Sequence, residues 1–192
     1  MADTTTLTRT VDGERVPIPG TYTLDKSHSV VGFVARHVMV AKVRGSFHEV
    51  EGSVTVAEDP LESHVEAIVQ IASLDTRDEQ RDAHLRSADF FDAESHPVMT
   101  YRSTKVSPKG HDHWLVEGDL TIKDVTRPVV LDVEFNGASG DPWGGKRIGF
   151  SAVTEIDREE FGLTWNVALE TGGVLVGKTI KIEIDAEAVL QA

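Results

Sequence analysis

Apolar residues recur along this chain with a period of two. The cleanest stretch is Thr179 to Ala188, where Ile180, Ile182, Ile184 and Ala186 alternate with Lys181, Glu183, Asp185 and Glu187. Successive side chains of an extended strand point to opposite faces, so the alternation describes a strand packed on one side and wet on the other. Val129, Leu131, Val133 and Phe135 alternate with Asp132, Glu134 and Asn136 in the same way, after Pro128, a residue tolerated at a strand's first position. Trp114, Val116, Leu120 and Ile122 share a face of another candidate, and Gly118 interrupts it as a bulge or bend would. Further candidates are Thr21 to Leu24, Ser29 to Met39, Arg44 to Val56, His64 to Leu74, Val98 to Val106 and Arg147 to Ile156, separated by breakers such as Asp59-Pro60, Ser107 to Gly110, Gly137 to Gly145 and Gly172-Gly173. Many strands with short connections and little helix predict an all-β, antiparallel fold that removes its edges by closing into a barrel or sandwich.

Two candidates are apolar on both faces. In Ser29 to Met39, Val31, Phe33 and Ala35 oppose Val30, Val34 and Val38; in His64 to Leu74, Val65, Ala67, Val69 and Ile71 oppose Ile68, Ala72 and Leu74. In a single barrel this predicts one face lining the interior and the other covered by an appended segment or partner. The one helical segment is expected at about 76–92, opened by a capping box of Thr76 with Glu79 and supported by an Asp82–Arg86 pair. Phe90 and Phe91 follow that polar helix and are placed to plug a barrel mouth.

The chain has 192 residues, 32 acidic against 19 basic, a net charge of −13, and no cysteine. A chain this long buries roughly 70% of its unfolded surface and folds without a disulfide or metal. The missing cysteine removes thiolate nucleophiles and thiolate metal sites. The acidity, with no basic stripe of interleaved aromatics, speaks against nucleic acid as a partner. The longest stretches without charge are nine residues, among them Ser27 to Ala35 and Phe161 to Leu169, against about twenty for a membrane-spanning helix. A polar start with no apolar signal-peptide core predicts a flexible segment 1–19, a single domain 20–190, and a cytoplasmic protein.

No catalytic constellation emerges. Gly172 to Thr179 matches G-x-x-x-x-G-K-[ST] letter for letter, but a phosphate loop needs a helix after it, and here the chain's clearest strand follows. His111-Asp112-His113 reads as a solvated hairpin tip rather than a metal site, and no metal or other cofactor is expected. G-x-S-x-G is absent, and the carboxylates lie mainly on polar strand faces, so the chain is not expected to be an enzyme. Polar residues within apolar surroundings are His28, Arg36, His37 and Asn166, candidates to hold the head of a largely apolar ligand. The plainer alternative is that His28 and Asn166 satisfy turn backbone while Arg36 reaches outward to water.

Several stretches together resemble the YceI-like family: Asp25 to Ser29, Phe33 to His37, Val43 to Phe47, Leu74 to Thr76, Gly118 to Ile122, Asp157-Arg158 to Gly173, and above all Arg81-Asp82-Ala83-His84-Leu85-Arg86-Ser87-Ala88-Asp89-Phe90-Phe91-Asp92. They run in family order over roughly Gly20 to Ala188. Asp124 departs from the family, which usually has glycine there. The resemblance implies an extended, lipocalin-like antiparallel β-barrel of about eight strands whose apolar pore takes up a long-chain isoprenoid lipid, a polyprenyl phosphate or an isoprenoid quinone, for binding, storage or transport. The apolar residues expected along such a pore are Val31, Phe33, Phe47, Leu74, Phe90, Phe91, Phe150, Phe161 and Trp165, with His28, Arg36, His37 and Asn166 at the head group. Each isoprene unit brings five carbons at about 0.8 kcal/mol per methylene-sized group, so the tail alone supplies affinity. The competing readings are a filled barrel that serves as a protein-interaction module and, below it, an enzyme acting on a bound lipid. The expected assembly is a monomer or a homodimer.

Overall fold

A computed structural model describes residues 7–170 and 172–191. The strands are β1 (Thr8–Val11), β2 (Glu14–Pro17), β3 (Gly20–Leu24), β4 (Val30–His37), β5 (Ala41–Phe47), β6 (Val50–Val56), β7 (His64–Gln70) and β8 (Leu74–Asp75); after helix α1 (Glu79–Arg86) come β9 (Val98–Gly110), β10 (His113–Ile122), β11 (Val125–Gly140), β12 (Lys146–Asp157) and β13 (Val176–Leu190). Neighbours run antiparallel in the order β12-β11-β10-β9-β7-β6-β3-β13, and β13 pairs back onto β12, so eight strands close a barrel. The expected all-β barrel is therefore the fold.

The extension of the barrel comes from β13 changing partner along its length. Its C-terminal end pairs with β3, Ala188 opposite Leu24, while its N-terminal half pairs with β4, Ile184 opposite Val31 and Ile182 opposite Phe33. β3 with β4, and β5 with β6, form one long hairpin bent at residues 25–29 and 48–49, whose far half projects past the barrel. The single strand expected over Arg44 to Val56 is thus two. β8 pairs with β5 beneath this projection.

The inward residues of the alternating strands form the core. One buried cluster, with Phe47, Leu74, Phe90 and Phe161 at its centre, closes one end of the barrel. At the other end Val16 of the β1–β2 hairpin packs on Val106, Trp114 and Val116. That hairpin falls within the segment expected to be flexible, residues 1–19, of which 1–6 lie outside the described residues; Val16 is only 3% exposed, and Arg9 donates to the carbonyl of Ala57 at 2.7 Å.

Several local expectations are corrected. The helix spans only 79–86, and its N-cap is Asp78, whose carboxylate accepts from the Arg81 amide at 3.0 Å. Thr76 instead donates its hydroxyl to the buried Asp82, and Arg86 donates to the Leu74 carbonyl, so neither the capping box nor the Asp82–Arg86 pair forms. These bonds win because they tie the helix to the strand before it, whereas the sequence-local pairs would have faced water. β11 continues into the expected Gly137 to Gly145 loop as far as Gly140. Among the described residues no appended segment covers the outer face of β7 at Ile68, which is exposed in the single chain. The Gly118 irregularity is present as a register shift between Glu117 and Gly118: a Cβ there would lie 2.6 Å from the Tyr101 hydroxyl, which crosses to donate to the Val116 carbonyl.

Candidate ligand cavity

The barrel is not filled. Between the two packed ends lies a cavity of about 240 Å³, lined by inward residues of nearly every barrel strand. Val50 and Val54 of β6, Val65, Ala67 and Val69 of β7, and Met99, Tyr101 and Val106 of β9 form one wall; Trp114, Leu120 and Ile122 of β10, Val129, Leu131, Val133 and Phe135 of β11, Phe150 and Ala152 of β12, and Ile182, Ile184 and Ala186 of β13 form the rest. Many of these inward side chains, including Val65, Leu131, Val133, Ile182, Ile184 and Ala186, are only half-buried although they point away from bulk solvent. In a solid core they would be fully buried, so the period-two alternation has built a hollow and not a plug.

The cavity offers a ligand few free polar groups. The Tyr101 hydroxyl is committed to the Val116 carbonyl at 2.9 Å, and burial pushes its ionisation well above the ordinary phenol range. The Ser29 hydroxyl bonds both the carbonyl and the amide of Glu187, and the Ser63 hydroxyl accepts from the Ala57 amide. Exposed His64, with Pro60 and Ser63 beside it, reaches the lining at the end where β6 turns into β7. Such a site selects by shape and apolar contact.

The expected pore residues separate into two groups. Val31 and Phe150 line the cavity. Phe47, Leu74, Phe90 and Phe161 are buried in the cluster that closes the barrel end, with Phe33, Phe91 and Trp165 packed against it. There Phe47 meets Phe33 and Phe91 at ring separations of 5.7 Å, and His84 stands edge-on to Phe90 and Trp165. Phe90 is buried in this cluster and Phe91 packs against it. The lining residues that sequence reasoning missed are mostly Val, Ile, Leu and Ala on ordinary alternating strands. Their signal was the alternation itself, which looks identical in a filled barrel.

Three of the four head-group candidates, Arg36, His37 and Asn166, gather around Val176 and Gly177 where β13 begins, while His28 lies at the other end of β13 beside Glu187. Asn166 donates its amide to the Val176 carbonyl at 2.8 Å and accepts from the Val176 amide, bracing a loop. Arg36 is exposed and His37 half-buried on β4, near the tip of the projecting hairpin. His28 is exposed and lies 3.1 Å from Asp25, which with Glu187 also receives the Arg147 guanidinium. Asp25, His28 and Glu187 are close enough together to suggest a cation site, but that guanidinium already supplies the positive charge. Arg147 also bonds Asp141 at 2.7 Å. Hydrogen bonds from Ser27 and then Arg147 hold the Asp25 carboxyl well below the usual carboxylate range.

The other motifs are structural. His111 and Asp112 form a hairpin tip with left-handed backbone, and His113 lies 3.1 Å from Asp132. The segment matching a phosphate loop runs into β13 with no helix. Arg158, buried, spends its guanidinium on the carbonyls of Gly177, Leu163, Trp165 and Val176 and so ties the segment after Phe161 to the start of β13.

The YceI-like domain family matches residues 22–188. A UPF0312 protein of Staphylococcus epidermidis is 39% identical over 168 residues, 86% of this chain and 95% of that protein. Among solved structures, BcnA of Burkholderia cenocepacia superimposes with a TM-score of 0.73 at 22% identity, covering 85% of this chain and 98% of that one. A polyisoprenoid binding domain from Saccharophagus degradans superimposes with a TM-score of 0.64 at 14% identity, covering 88% of this chain and 98% of that one.

Proposed function

The chain belongs to the YceI-like family, and from that premise we propose that its barrel binds the chain of an isoprenoid lipid as a carrier, without catalysis. The observation that carries the reading is the apolar hollow, whose inward Ile and Val side chains are left half-buried. A filled barrel serving only as an interaction module would have no such space. An enzyme acting on the lipid would need a titratable pair facing the cavity; of the titratable lining residues, Tyr101 is engaged with the Val116 carbonyl, Asp185 is exposed and accepts from Ser151, and His64 is exposed at one end.

Size bears on the ligand. An engineered cavity of about 150 Å³ holds benzene, six carbons. In proportion, the cavity of about 240 Å³ holds roughly ten carbons, two isoprene units. A longer tail extends toward the His64 end or displaces lining side chains. A neutral quinone head fits this chain better than a polyprenyl phosphate: no Lys or Arg lies among the described cavity-lining residues, and the net charge of −13 repels phosphate. The test is organic extraction of the purified protein followed by mass spectrometry. An isoprenoid in near-stoichiometric amount is expected; fatty acids alone, with no uptake of added isoprenoid, would overturn the reading.

A further inference from the structure

We propose that the β4–β5 hairpin docks the protein on an anionic lipid surface. The hairpin projects past the barrel and ends in Val38-Met39-Val40, with Met39 54% and Val40 81% exposed. Val167, also exposed, lies beside the tip, because Leu175 accepts from the Val38 amide and donates to the Val167 carbonyl. Val38 and Met39 both take left-handed backbone, with φ of 43° and 63°. Turns of this kind favour Asn and Gly, and a β-branched residue is strained there. The sequence therefore carries apolar side chains where local preference opposes them, and the fold leaves Met39 and Val40 in water.

Behind the tip the topology assembles a basic face that is scattered in the sequence. Paired residues of antiparallel strands share a face, and Arg36 pairs with Lys42, Val34 with Arg44, and Val34 with Lys181. Four cations from three strands thus lie together on the outside of a protein whose net charge is −13. The acids on this face are Glu183, shared between Arg44 at 3.2 Å and Lys181 at 2.7 Å, Glu155 opposite Lys181, Asp157 opposite Thr179, Asp185 opposite Val30 and Asp75 opposite Ser46. Among the described residues Arg36 and Lys42 join no ion pair, although like charges directly across a hairpin repel. An apolar tip backed by unpaired cations matches the chemistry of an anionic bilayer surface, where aliphatic side chains enter the interface and Lys or Arg meets the head groups. A nucleic acid would use the cations and leave Val38 to Val40 unexplained.

The experiment is co-sedimentation with vesicles free of isoprenoid, so that it stands apart from cargo binding. The wild-type protein is expected to sediment with equal parts phosphatidylglycerol and phosphatidylcholine at low salt, and to stay in the supernatant with phosphatidylcholine alone. Each cation near an anionic leaflet contributes about a fivefold factor, so Arg36→Gln with Lys42→Gln lowers partitioning about 25-fold. Met39→Ser with Val40→Ser lowers it as well, while Trp143→Ser, exposed on the β11–β12 turn at the opposite end, does not. All these positions are exposed, and unchanged melting confirms the fold. Wild-type protein that ignores anionic vesicles, binds neutral ones equally, or keeps its binding in both double variants would overturn the proposal.

Discussion

Filling the hollow is the sharpest perturbation available. Ala186 lies on the inward face of β13, opposite Phe150, and lines the cavity while only half-buried. Ala186→Phe adds a phenyl ring, six carbons that occupy about 150 Å³ when held as benzene. Set against a cavity of about 240 Å³, this leaves roughly 90 Å³, space for about four of the ten carbons that fit the wild-type protein. Losing six carbons of burial at about 0.8 kcal/mol each removes up to about 5 kcal/mol, more than a thousandfold in Kd. Even with half of that recovered by adjustment of the lining, the loss is about fiftyfold. The assay is quenching of tryptophan emission by a short-chain isoprenoid quinone, since Trp114 lies in the cavity wall. Because the ring enters space that is already empty, the melting temperature without ligand is expected to hold or rise. A correctly folded Ala186→Phe protein that binds the quinone as tightly as wild type would refute the placement of the ligand in this cavity.

Two further predictions concern stability. Ile148 is 2% exposed, so Ile148→Ala is expected to cost about 2–5 kcal/mol in chemical denaturation; Ile184→Ala, already facing empty space, is expected to cost clearly less, and equal costs would mean that the interior is packed. Asp25, by its bonds from Ser27 and Arg147, and Asp141, by its bond from Arg147, titrate below their ordinary value of 3.8. Folded-state values below the unfolded ones mean that this stabilisation is complete above about pH 5 and is lost as the pH falls through and below the ordinary range. Arg147→Gln is expected to flatten the acid limb of a melting-temperature profile, and an unchanged limb would show that the network contributes nothing.

The barrel was legible in the sequence because alternation is a local signal: each of Ile180, Ile182, Ile184 and Ala186 declares its own face. The bend that splits the expected Arg44 to Val56 strand was not legible, because it follows from β13 exchanging β3 for β4 as its neighbour, a long-range event. The site shows the same division. Aromatic residues drew attention as pore candidates, yet Phe47, Phe90 and Phe161 are large enough to pack solidly and so close the barrel end. The hollow remains where smaller Val, Ile and Ala residues face one another across the barrel and cannot meet. The basic face was invisible for a related reason, since Arg36, Lys42, Arg44 and Lys181 come together only through strand pairing.

The central claim is that an isoprenoid chain lies inside the barrel against the inward face of β13. A photoreactive farnesyl probe, irradiated in complex with the protein and mapped by peptide mass spectrometry, tests it directly. Cross-links on Ile182 to Ala186 and on Leu131 to Phe135, competed away by unlabelled isoprenoid, are the predicted result; labelling confined to the exposed hairpin tip at Met39 and Val40, or insensitive to competitor, would contradict it.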